Sequence, residues 1–220
     1  MSLSIALALV MGIRIGKPVR YFGEHEFITW ISTAQLLVVA GLSYKIFQLG
    51  RLNDYAVRDA WRSPGVVWLI VSLGFVYLAC DEYFLFHENI DRWIHSLFGI
   101  EETGLTDRID DLLVGLYGII GILTFYVYRE KILKVKPMLP YFALGFTLLF
   151  TMVVLDVVSN RSDILSTSMS ADRADRVLMV LAVAEESFKV LSEIFFLVAF
   201  YGALRLTRGT ADTSIKSARI

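Results

Sequence analysis

The sequence is poorest in the residues that cross-link or clamp small domains. It has one cysteine, Cys80, which excludes an intrachain disulfide and any CxxC metal knuckle. Neither sign of charge is in excess. With 21 Lys and Arg against 22 Asp and Glu the net charge is -1, and no basic cluster is dense enough to hold a phosphate backbone, so nucleic acid is not expected as a partner. Long alternating strands are missing too, which excludes a transmembrane barrel.

Apolar residues dominate instead. At 56% hydrophobic and 20% charged, the chain is oilier than a soluble domain of this size needs, and a bilayer is the expected surrounding. About 20 apolar residues cross a hydrocarbon core, and five runs qualify: about 28–49, 65–86, 110–128, 139–158 and 177–204. Each must be helical, because backbone groups in lipid have no other way to pair. The predicted fold is therefore all-α, a single integral membrane bundle of five transmembrane helices over 1–208, followed by a flexible polar tail, 209–220. The early run "IALALVMGI" is too short to span and lacks the basic region and cleavage site of a signal peptide. It is expected in the membrane interface, with re-entry into the membrane as the alternative.

Lys and Arg collect in the linker 50–64 (Arg51, Arg58, Arg62), after the third span (Arg129, Lys131, Lys134, Lys136) and in the tail. The opposite linkers hold fewer, among them Arg92, Arg108 and Arg161. The positive-inside rule then places the N-terminus outside and the C-terminus in the cytoplasm, although Arg14, Lys17 and Arg20 dissent.

Acids punctuate this oil at one level. "DEYFLFHE" sets Asp81, Glu82, His87 and Glu88 at the outer end of the second span. Asp110 and Asp111 open the third span, Asp156 lies near the end of the fourth, and the fifth carries Glu185, Glu186, Lys189 and Glu193. At ~100° per residue the last four share one face. If the second helix runs on without a break, Asp81, Glu88, Arg92 and His95 share another, leaving Glu82 and His87 elsewhere. Charges in mid-span cost on the order of 2.5–3.5 kcal/mol each on the insertion scale, so these are expected to face the bundle interior.

Three chemistries suit such a set. Carboxylates with an imidazole suit a divalent metal ion, with Asp81, Glu82, His87, Glu88, Asp111, Asp156, Glu186 and Glu193 as the candidate ligands and Lys189 as their counter-charge. The spacing is not that of a ligand motif: Glu82 and His87 are five apart, and the three histidines supply neither a desaturase HxxxH nor the set of ceramidase-like hydrolases. Glu186, Lys189 and Glu193 would also serve a proton relay, but "LIVSLGF", "GIIGILTFYVY" and "FFLVAFYGAL" leave the cytoplasmic half dry. An acid–base pair such as Glu82 with His87, near Ser187 and Ser192, would act on a lipid headgroup.

Plainer readings exist for each. DEYFLFHE is also a helix end meeting water. Asp107 and Asp110 are ordinary helix caps, Asp156 can bond locally or to Arg161, and Glu185 with Lys189 is an i,i+4 ion pair. Tyr83, Phe84, Phe86 and Trp93 suit an interfacial aromatic belt, and NRS at Asn160 matches a glycosylation sequon.

DExxxxHE together with a glutamate-rich last helix, EESFKVLSE, resembles a group of poorly characterised bacterial multipass membrane proteins. The resemblance rests on Asp81, Glu82, His87, Glu88, Glu185, Glu186 and Glu193. It implies an inner-membrane location and a polar, metal-binding centre. Lys189 departs from that pattern, since an ammonium can stand where a cation would. The expected function is binding of a divalent metal or other cation in the outward-facing cluster, serving catalysis on a membrane substrate. The rivals are an accessory subunit of a larger membrane complex, with the cluster as a structural salt-bridge network, and proton or cation translocation.

Overall fold

A computed structural model describes residues 3–17, 19–23, 25–53, 65–99, 109–159 and 170–217. Arg58, Arg62, Asp107, Arg108, Asn160, Arg161 and Arg219 lie outside the described residues. Every regular element among those described is helical: α1 (Leu3–Arg14), α2 (Phe27–Asn53), α3 (Val66–Phe84), α4 (Phe86–Phe98), α5 (Ile109–Val127), α6 (Arg129–Ile132), α7 (Leu139–Ser159) and α8 (Ala171–Ser217). The helices follow the apolar runs closely, with two differences. The tail read as flexible continues as helix to Ser217, and the second run breaks before its predicted end, at Leu85.

Four stretches are long and apolar enough to cross a membrane: Arg20–Gly50, Val66–Phe84, Arg129–Val158 and Arg176–Thr210. The apolar part of α5, Leu112–Val127, is shorter.

Burial in α2 follows the helical repeat. Ile28, Ser32, Val39, Ser43 and Ile46 are buried at spacings of three, four and seven, whereas Trp30, Leu37, Val38 and Tyr44 are exposed. An apolar outer face is what a helix in lipid requires. The inward stripe packs α2 on α3 and α8, and α8 on α7. Where helices touch, small residues let them approach: a Cβ added at Gly145 would come within 2.8 Å of Phe196. The main core is aromatic. Phe142, Phe196 and Phe200 are buried with Trp68, and Phe142 meets Phe200 edge-to-face at 5.0 Å.

At the other end of the bundle, α1 packs Ile5 and Ala8 against Ile28 of α2 and Val190 of α8. The segment read as interfacial thus shares a buried cluster with α8, one residue beyond Lys189. α4 is inverted in polarity for a water-facing helix. Its buried residues are Asp91 and His95, while Trp93 and Phe98 are 62% and 68% exposed.

Candidate functional site

Asp81 and Glu82 occupy the last turn of α3. Adjacent residues on a helix point about 100° apart, and these two take different partners. Asp81 turns toward the break. Leu85 sits in the left-handed region (φ 54°, ψ 48°), and its N–H donates to the Asp81 carbonyl. A leucine held there costs about 1–2 kcal/mol. The break folds His87 back over Asp81, so that Asp81 Oδ1 accepts the His87 backbone N–H at 2.9 Å and Oδ2 lies 2.8 Å from His87 Nδ1. Asn89 Nδ2 donates to the carbonyls of Phe84 and Leu85 at 3.1 and 2.8 Å, fixing the turn.

This corrects the face shared by Asp81, Glu88, Arg92 and His95, which required an unbroken helix. It also corrects the pairing of Glu82 with His87. Asp91 and His95, buried on α4, pair separately at 3.3 Å. Burial of the His87 ring works against its charged form. The hydrogen bond and charge of Asp81 outweigh it, with help from Glu88 and Asp110, and raise the ring's pKa above 6.5.

Glu82 points into the bundle. Its Oε1 lies 2.9 Å from Lys189 Nζ, and the same ammonium donates to Glu186 Oε1 at 2.9 Å. Glu186 Oε2 is 2.8 Å from Nζ but accepts no hydrogen bond, so the approach is a charge contact without donor alignment. The predicted i,i+4 pair of Lys189 with Glu185 is replaced by the i,i+3 partner and a carboxylate from α3.

Glu193, one turn further along α8, is 4% exposed. Its Oε1 accepts a short hydrogen bond from Ser32 Oγ of α2. With its amide turned toward the carboxylate, Gln35 also donates to Oε2 at 3.1 Å. Ser32 and Gln35 are absent from the predicted site, yet their three-residue spacing on the inward stripe of α2 was a readable signal. Ser187 and Ser192, beside the charges, donate to the carbonyls of Val183 and Lys189 on their own helix.

These groups open on one cavity of about 970 Å³, at the upper end of the range for small-molecule sites. Asp81, Glu82, His87, Glu88, Asp156, Glu186 and Glu193 all line it, and Lys189 does as well. Asp111 lies on α5, and its side chain is outside those described. Among the described residues, Asp91, Asp110 and Glu185 complete nine carboxylates on this lining, where Lys189 and Arg92 also stand. Arg92 itself reaches Glu88 at 3.3 Å from an exposed position, where a pair contributes little. Among the described residues, no three of His, Cys, Asp and Glu are grouped to hold a metal ion. The geometry gives the reason: Lys189 lies between Glu82 and Glu186, and His87 engages Asp81.

Residues 2–204 match the family model of a domain of unknown function, DUF8692. No curated protein and no solved structure matches the chain.

Proposed function

The chain belongs to the DUF8692 family, and from the site itself we propose that it is a five-span membrane protein that binds a cation in the outer half of its bundle. One observation carries the reading: among the described residues, nine carboxylates from five helices line one cavity. Carboxylates in a low-dielectric bundle need positive charge close by. Lys189 illustrates the chemistry, since an ammonium is already held by Glu82 and Glu186. A divalent metal would need to draw ligands from several helices at ~2.0–2.6 Å. An organic ammonium needs only charge and hydrogen bonds at longer range, and the spread of these carboxylates suits it better.

In this reading the N-terminus is outside, the C-terminus is cytoplasmic, and the membrane is a bacterial inner membrane. α5 serves as the fifth span. Its 19 residues reach about 28 Å, and Leu112, Ile119 and Leu123 present an exposed apolar face to lipid.

The test is calorimetric titration of the purified, folded protein with Mn²⁺, Zn²⁺ and tetramethylammonium, alongside Asp156→Asn and Glu186→Gln. At least one cation should bind saturably, at least about tenfold more weakly in either variant. Folded wild type that takes up none of them, and that purifies only with other membrane subunits, would make the cluster structural and the chain an accessory subunit.

A further inference from the structure

The cavity is polarised along its length. Three helices each place an acid above apolar side chains that line the same space: Glu82 above Val71 on α3, Asp156 above Phe146 on α7, and Glu193 above Phe200 on α8. α5 agrees, beginning at Asp110 and reaching Phe125. At 1.5 Å per residue these pairs are separated by about 10–22 Å. A site for a bare cation has no use for so long an apolar section.

The roof has a matching polarity. α4 turns Glu88 and Asp91 toward the cavity and leaves Trp93 and Phe98 exposed, the disposition of a helix lying in a membrane interface with its polar side inward. Asp91 is 6% exposed, and its Oδ1 accepts no hydrogen bond; its contact is the His95 ring at 3.3 Å. The polar end thus retains acceptor capacity beneath a roof at headgroup depth.

We infer that the ligand is a cationic amphiphile, its ammonium head among the carboxylates of α3, α7 and α8 and its single alkyl chain along the apolar section toward Phe146 and Phe200. The inference rests on the cation-binding reading and adds the tail. An anionic amphiphile of equal length meets nine carboxylates and is excluded by charge. Gly74 offers a means of separating head from tail. It lines the cavity, and a Cβ added there meets nothing within 4 Å, so the position has open space for a side chain beside the apolar section.

The experiment uses the full chain in lipid nanodiscs and a dodecyltrimethylammonium probe with a diazirine at the end of its chain. Photolabelling is expected on cavity-lining peptides of α5 and α7, displaced by unlabelled dodecyltrimethylammonium. In Gly74→Leu it should fall at least about tenfold, while the titration with tetramethylammonium stays unchanged. A dodecyl sulfate probe with the same diazirine should label only lipid-facing residues. Labelling that cannot be displaced, that is equal for the two probes, or that survives in Gly74→Leu would overturn the amphiphile and leave cation binding standing. Failure of dodecyltrimethylammonium and of every cation in the titration would overturn both.

Discussion

At the residue scale, the site turns on which carboxylate each cation holds. Lys189 is shared by Glu82 and Glu186. Removing one partner of a buried ionic set leaves the others uncompensated, at a cost of about 3–5 kcal/mol. Lys189→Met should therefore lower the thermal midpoint in detergent sharply, and Glu82→Gln added to it should restore part of the loss. Equal or additive losses in single and double variants would mean that the three groups are not coupled. His87 is expected to respond to pH. Its pKa is raised, so protonated His87 stabilises the folded chain fully below about pH 6.5, and the contribution fades as pH rises through the raised folded value. Unfolding midpoints from about pH 6 to about pH 9 should fall more steeply for wild type than for Asp81→Asn, which lacks the charge that raises the ring. Parallel curves would remove Asp81 as the cause.

At the element scale, helix positions were legible because a 20-residue apolar run has few other fates in lipid. The break at Leu85 was not. Left-handed backbone is ordinarily signalled by Gly or Asn, and a leucine there is held by the surrounding bonds of Asp81 and Asn89, which no local pattern reveals. One unseen residue moved Asp81 to His87 and invalidated the face drawn across it. The choice between Glu185 and Glu186 was similarly open, since i,i+3 and i,i+4 partners both lie within reach of a lysine. Glu82, contributed by a helix distant in sequence, joins Glu186 at the ammonium. Packing between α7 and α8 gives a separate expectation. Gly145→Ala would place its Cβ 2.8 Å from the buried Phe196 ring, which must shift to admit it, so a loss of about 1–3 kcal/mol is expected. The thermal midpoint of that variant checks it, and an unchanged midpoint would show that α7 and α8 can separate freely.

At the scale of the whole molecule, the bundle divides into an aromatic end that sets its stability and a carboxylate-lined end that sets its chemistry. The sequence showed the acids at one level, but the aromatic core of Trp68, Phe142, Phe196 and Phe200 was not read from it. Seven of the eight metal-ligand candidates, and Lys189 with them, line one cavity. Coordination itself depends on side-chain direction to within an ångström, which spacing along separate helices does not encode. The most direct measurement is the binding isotherm of tetramethylammonium to folded wild-type protein, beside that of Asp156→Asn with Glu186→Gln combined. A saturable isotherm near one equivalent, lost in the double variant, is expected; the same heats from both proteins, or none from wild type up to about 1 mM ligand, would contradict an organic-ammonium site in this cavity.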